Sequence, residues 1–233
     1  MITPAFFLLL LIGLVYAWTT TEFDPTTARI LGFEGLVDKF GEHLFITFWS
    51  TVFVVGIAIP LGIALTRPRL RGIAPLVVTF ASSGQAIPAY GLIVLFLVLL
   101  GQGTRTAIAA LTVFALIPVL RNTMVGLDQV DKPTIEAARG MGLSKWQVLR
   151  QIELPLAVPV ILAGVRTALI INVGMAALVF LIGGGALGET INSALKLNRP
   201  VAVFIGGALV ALLALAIDFI AALAERYLRP KGI

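Results

Sequence analysis

Long apolar runs separated by short polar intervals lay out this chain. They cover residues 4–18, 43 to about 65, 73–100, 106 to about 120, 156–182 and 200 to about 223. About 20 apolar residues make a helix that crosses about 30 Å of hydrocarbon. The pattern therefore predicts an all-α polytopic membrane protein with about six transmembrane helices. The first run is of marginal length and lacks a positive leading segment, which favours a retained span over a cleaved signal peptide without closing the second reading. Tyr16 and Trp18 would sit at its interface. Residues 19–42 are polar and net acidic, and Phe33, Leu36, Val37 and Phe40 recur at helical spacing. That stretch predicts an amphipathic helix, either lying on the membrane or packed on its own protein.

Two runs carry interruptions. Pro60, between Gly56 and Gly62, predicts a kink in the second span. The run 73–100 is too long for one untilted span, and Ser82-Ser83-Gly84-Gln85 and Pro88 break it. Broken helices at membrane depth are tolerated only against protein or a water-filled cavity. Ser82, Ser83, Gln85, Pro88 and, in the fifth run, Asn172 are candidate pathway residues on that ground; a small-residue packing seam is the alternative.

The longest polar interval, centred on Glu136–Pro155, reads as two short helices with a bend. Asp131 or Lys132 followed by Pro133 and Thr134 is a helix start. Glu136 lies near the positive end of that helix dipole, and Gly142 is placed to end the helix as its C′ residue. Ser144 and Gln147 form a capping box, with Leu143 and Val148 at the positions of a hydrophobic staple; such a cap is worth about 1 kcal/mol. Pro155 is expected to end the second helix and turn the chain back to the membrane. A bent pair of this kind can be a solvated loop, a helix-turn-helix or a docking element. A DNA-reading motif needs a third helix to bury its apolar face, and membrane runs begin close by on both sides.

Composition agrees with the pattern. The 233 residues are 59 % hydrophobic and 12 % charged, against about 25 % charged in soluble domains. The net charge of +5 would suggest nucleic acid in a soluble protein, but its distribution follows the membrane. Arg67, Arg69, Arg71, Arg121, Lys132, Arg139, Lys145, Arg150, Arg226, Arg229 and Lys231 fall on the side of the bent pair, and Arg29, Lys39, Arg105, Lys196 and Arg199 on the other. The bias places the bent pair and both termini in the cytoplasm. With no cysteine and only His43, there is no disulfide, no thiol nucleophile and no His-rich metal site. No catalytic constellation is visible, which argues against a membrane enzyme.

Gly183-Gly184-Gly185-Ala186-Leu187-Gly188 matches a dinucleotide-binding fingerprint but lacks the preceding strand that such a turn needs. The same stretch nearly matches a P-loop, with Glu189 where the phosphate-binding lysine belongs. The glycines instead predict a tight turn near the outer mouth. Arg166 and Asp218 are the charges expected inside the membrane, each costing about 2.5–3.5 kcal/mol at a bilayer centre. A structural pair between them is the favoured reading, with a snorkelling Arg166 or a substrate contact as alternatives.

Glu136-Ala137-Ala138, three residues, Gly142, nine residues, Ile152, one residue and Leu154-Pro155 resemble the EAA loop of ABC importer permeases, with every fixed position filled. The resemblance extends over residues 44–228. Gln85-Ala86-Ile87-Pro88, Arg121-Asn122-Thr123 and Gly183 to Gly188 look like the osmoprotectant branch, which carries glycine betaine, choline or carnitine. It implies a type I importer permease core of five helices behind an N-terminal span. The corresponding division is 1–42 for that span and an external amphipathic segment, 43–225 for the permease domain with its coupling loop at 131–155, and 226–233 for a cytoplasmic tail. Glu136, Ala137, Ala138 and Gly142 would dock a cytoplasmic ABC ATPase, while Ile152, Leu154 and Pro155 would anchor the loop. The resemblance also implies a second permease subunit, identical or paralogous, an extracytoplasmic substrate-binding protein and a bacterial inner-membrane location. No cofactor is expected on this chain, and ATP and magnesium would belong to the partner ATPase. A secondary transporter or channel is the competing class; it would show repeat symmetry or more intramembrane ionisable groups.

Overall fold

A computed structural model describes residues 2–228, and those residues contain eleven α-helices and no strand. The helix α1 (Ile2–Thr20) is followed by the short α2 (Pro25–Ile30), which Asp24 caps by accepting from the Thr26 and Thr27 N–H groups. The Thr27 hydroxyl also donates to Asp24, and this bond, foremost, holds the Asp24 carboxyl below the ordinary carboxylate range. Next comes α3 (Phe33–Thr66), then the broken pair α4 (Ala74–Ala86) and α5 (Ala89–Leu100), then α6 (Thr104–Asp128). The bent segment is α7 (Lys132–Gly140) and α8 (Lys145–Val148). It leads into α9 (Leu154–Ala176), α10 (Leu187–Lys196) and α11 (Pro200–Leu228).

Four helices are long and apolar enough to cross a membrane, and the α4–α5 pair, bent by 100°, makes a fifth candidate. At about 1.5 Å per residue, the 19 residues of α1 fall just short of about 30 Å. The sixth span of the sequence pattern is therefore this shorter helix, which packs on α11 through Phe7, Leu10 and Leu14.

Several sequence boundaries move. No break separates an external amphipathic helix from the second span: α3 is one 34-residue helix that runs through residue 42 and through Pro60. Buried Leu36 is in helical phase with buried His43, Ser50 and Val54, so one face continues inward. The helix α9 ends at Ala176, short of 182, and a 3₁₀ turn (Val179–Ile182) follows. The predicted external loop 183–199 contains α10, whose Leu187, Thr190 and Ala194 are buried against the bundle. The tail begins as helix, since α11 includes Arg226 and Tyr227; Arg229 and Lys231 lie outside the described residues.

The bundle is organised on α6, which packs along α3 and α9 and also touches α4 and α5. Lipid tails are as apolar as the helices, so close approach and dispersion must supply the association. Glycines allow that approach. A Cβ at Gly62 of α3 would stand 2.8 Å from Thr123, and one at Gly164 of α9 would stand 2.7 Å from the Asn122 Cβ and 2.9 Å from the Pro118 carbonyl oxygen. Where α9 meets the far end of the bundle, a Cβ at Gly188 would lie 1.7 Å from the Ala177 carbonyl oxygen.

The glycine contacts predict a sharp contrast. Gly164→Ala should lower stability in detergent by about 1–3 kcal/mol through overpacking. Gly56→Ala, where nothing lies within 4 Å, should change it by no more than about 0.5 kcal/mol. Chemical denaturation of the purified chain, followed by circular dichroism, measures both.

Candidate functional site

The bent segment is a knuckle held by local hydrogen bonds. The helix α7 starts with Asp131 at its N-cap and Pro133 in its first turn. It ends in a Schellman motif. Gly142 takes φ +87°, its N–H donates to the Arg139 carbonyl at 2.9 Å, and the Leu143 N–H donates to the Ala138 carbonyl at 3.2 Å. The next helix opens on a complete capping box: Ser144 N–H donates to Gln147 Oε1 at 2.8 Å, and Gln147 N–H donates to Ser144 Oγ at 3.3 Å. Val148 is fully buried beneath it.

The second helix does not stop at Pro155. Residues 149–153 form a π-helical turn, and the chain continues as helix from Lys145 to Ala176. A proline has no N–H to donate and its ring crowds the preceding turn. The widened turn precedes Pro155, so the knuckle is joined to α9 without a loop.

Glu136, Ala137 and Gly142 are exposed. Ala138 is not presented: it is 2 % exposed and its carbonyl closes the Schellman motif. Its small side chain serves the bend, not the surface. Met141 and Trp146 are 74 % and 65 % exposed, so the surface of the knuckle carries two large apolar side chains that the sequence reading did not single out. Their lack of a place in the apolar periodicity was the available signal. Ile152, Leu154 and Pro155 are half-buried at the root of α9.

The candidate pathway residues separate into two places. Ser82, Ser83, Gln85 and Pro88 lie at the α4–α5 break. There Ile87 and Pro88 are extended, with ψ of 131° and 136°, as the residue before a proline and the proline itself favour. Gln85 Nε2 donates to the Phe114 carbonyl at 3.0 Å, and Arg121 donates to Ser82 Oγ at 2.9 Å, a link not evident from the sequence. Asn172 is elsewhere. It is fully buried and donates to Thr51 Oγ1 at 3.0 Å, tying α9 to α3, so it does not share a surface with the break.

Arg166 Nε lies 2.6 Å from Asp218 Oδ1, and its Nη2 lies 2.9 Å from Oδ2, a two-pronged contact between α9 and α11. Glu225 stands 3.7 Å from the same guanidinium. At the far end, Glu42 of α3 accepts the Ala186 N–H at 2.8 Å, inside the turn made by Gly183, Gly185 and Ala186 at positive φ. A Cβ at Gly185 would fall 2.1 Å from the Glu42 carboxylate. The dinucleotide-like glycines thus form a cradle for a carboxylate of this same chain.

The profile of the binding-protein-dependent transport system inner membrane component family matches residues 26–230, and the chain belongs to that family. It is 40 % identical over 198 residues to the glycine betaine/carnitine/choline transport system permease protein OpuCB of Bacillus subtilis, covering 85 % of this chain and 90 % of the relative. It is 43 % identical over 192 residues to the osmoprotectant import permease protein OsmY of Salmonella typhimurium, covering 82 % and 81 %. Among solved structures, the MetNI methionine ABC transporter in an inward-facing conformation matches with a TM-score of 0.74 at 28 % identity, over 84 % of this chain and 96 % of that one. The protein is accordingly a multi-pass membrane permease of the type I importer fold.

The ion pair between α9 and α11 predicts a double-mutant signature. Arg166→Gln leaves Asp218 without its partner and should reduce the folded yield in membranes several-fold, in keeping with about 2.5–3.5 kcal/mol per isolated charge, whereas Asp218→Asn leaves Arg166 with Glu225 at 3.7 Å and should reduce it less. Combining the two substitutions should restore most of that yield. Size-exclusion chromatography of the detergent extract distinguishes the variants.

Proposed function

We propose that this chain is the permease subunit of an ATP-driven, binding-protein-dependent importer whose cargo is a quaternary-ammonium osmoprotectant such as glycine betaine, choline or carnitine. The cargo rests on the relatives that align over most of the chain, which are glycine betaine/carnitine/choline, osmoprotectant and choline permease proteins. The mechanism rests on one structural observation. The knuckle is capped at its bend, exposed at Glu136, Ala137, Met141 and Trp146, and continuous with α9.

In this reading the knuckle is a coupling element in a groove of a cytoplasmic ABC ATPase, and ATP with magnesium is bound there and not on this chain. Two copies of the permease, or this chain and a close relative, pair through apolar faces such as that of α4 and α5, where Leu76, Phe80, Tyr90 and Val98 are exposed. The cargo is delivered at the opposite end by an extracytoplasmic binding protein, and both termini are cytoplasmic. Nucleotide binding draws the coupling elements together and favours the outward-open state; hydrolysis returns the pore inward. Different affinities of nucleotide and loaded binding protein for the two states drive the cycle.

The test is uptake into proteoliposomes that hold the permease with its ATPase, ATP inside and loaded binding protein outside. Labelled glycine betaine should accumulate only with ATP, and unlabelled choline or carnitine should compete. Accumulation of methionine with no competition by any trimethylated amine would assign the chain to an amino-acid importer. Uptake that follows an ion gradient without ATP would assign it to a secondary transporter.

A further inference from the structure

Glu153 is the one carboxylate that is buried among the described residues, with its side chain 6 % exposed. It ends the π-helical turn that joins the knuckle to α9. Its Oε2 lies 2.5 Å from Nη2 of Arg67, which is 86 positions away in sequence. Arg67 is the C-cap of α3, and its Nε also donates to the Ile63 carbonyl at 3.3 Å. The guanidinium is therefore fixed to the last turn of α3 as well as to the knuckle.

Four residues on, Arg71 reaches Asp128 at the end of α6, where the chain enters the knuckle. Arg71 also begins the 3₁₀ turn that leads without a gap into α4. The segment 67–71 is thus fastened to both roots of the knuckle and continues into the helix that breaks at Ile87 and Pro88.

The two fastenings are unequal. The Arg71–Asp128 contact is 3.4 Å long with side chains 68 % and 49 % exposed, and such surface pairs contribute little. Parting Arg67, whose side chain is 34 % exposed, from Glu153 would instead leave a carboxylate that is only 6 % exposed without its partner, which costs more than losing a surface pair. The Arg67–Glu153 contact is therefore the stronger of the two fastenings.

Resting on the coupling role given to the knuckle above, we infer that Glu153 and Arg67 form the strut that carries its displacement to the end of α3 and to α4. Glu153 and Arg67 are positioning residues, and neither touches cargo or nucleotide. Glu153 ends the π-helical turn on its buried side, together with Leu149.

The experiment compares wild type, Glu153→Gln, Arg67→Gln, Arg67→Lys and Arg71→Gln in the complete complex, reconstituted in proteoliposomes. ATPase content, ATP hydrolysis and labelled glycine betaine uptake are measured on the same sample. The expected result is that Glu153→Gln and Arg67→Gln keep the ATPase and hydrolyse ATP, yet uptake per ATP falls about two- to thirtyfold, the range over which residues of a coupling network act. Arg67→Lys should recover most of the ratio, and Arg71→Gln should leave it unchanged. An unaltered ratio in Glu153→Gln and Arg67→Gln overturns the inference, as does an equal fall in Arg71→Gln. If neither Glu153→Gln nor Arg67→Gln assembles, the pair is a folding element and the inference also fails. Wild type that retains no ATPase would instead overturn the proposed function on which the strut depends.

Discussion

Three consecutive residues of α6 each meet a different helix, and the bundle depends on that turn. Arg121 donates to Ser82 of α4, Asn122 fills the space left by Gly164 of α9, and Thr123 fills the space left by Gly62 of α3. Helices in lipid gain nothing from burying apolar surface against each other, so contact distance decides their association. A single methyl group at either glycine would collide with a side chain already in place. The turn lies near the knuckle end of α6, so its three partners are fixed close to the place where force would enter. The Arg121-Asn122-Thr123 sequence thereby has a physical use in this fold apart from any resemblance.

The knuckle achieves stiffness without a hydrophobic core of its own. A left-handed glycine, a reciprocal capping box and one buried valine satisfy its helix ends locally. Its large apolar side chains are then free to face outward, which is unusual for a polar loop and suited to a partner groove. At its exit, the π-helical turn and Pro155 keep the chain helical into α9. A displaced knuckle would act on a continuous helix, on the end of α3 through Arg67 and, along segment 67–71, on α4.

Much of this was legible in the sequence, and the remainder fails for identifiable reasons. Apolar run length located the spans because a bilayer fixes the length of an apolar helix. The helix ends at Gly142 and Ser144 were readable because capping is a matter of neighbours. Pro155 was misread as a stop, since a π-helical turn leaves no mark in residue type. The α3 boundary was misplaced because polarity at Asp38, Lys39 and Glu42 ends an apolar run without ending a helix. Burial of Ala138 and Asn172 depends on phase against distant helices, and periodicity within one segment does not supply it. The cost of isolated charges in lipid brought Arg166 and Asp218 together on paper. Arg67 with Glu153, and Glu42 with Ala186, lie at the ends of apolar runs, where the sequence alone gives no reason to expect a charge to be buried, and no such argument selects them. The glycine-rich stretch shows the limit of motif reading, because its turn cradles Glu42 of this same chain.

The proposed function stands or falls on whether the knuckle is the surface on which a cytoplasmic ATPase sits. The absence of cysteine makes one measurement especially direct. Met141→Cys places a single thiol on the exposed tip, and Leu195→Cys places one at the opposite end, where Leu195 is also exposed. Each would be treated in native membranes with a short bifunctional thiol reagent and analysed for adducts by mass spectrometry. If the ATPase sits on the knuckle, an adduct forms between position 141 and an ABC ATPase, is absent at position 195 and is lost when Gly142→Asp is added. An ATPase adduct at position 195 but not at 141, or none at 141 while the intact complex is present, would contradict it.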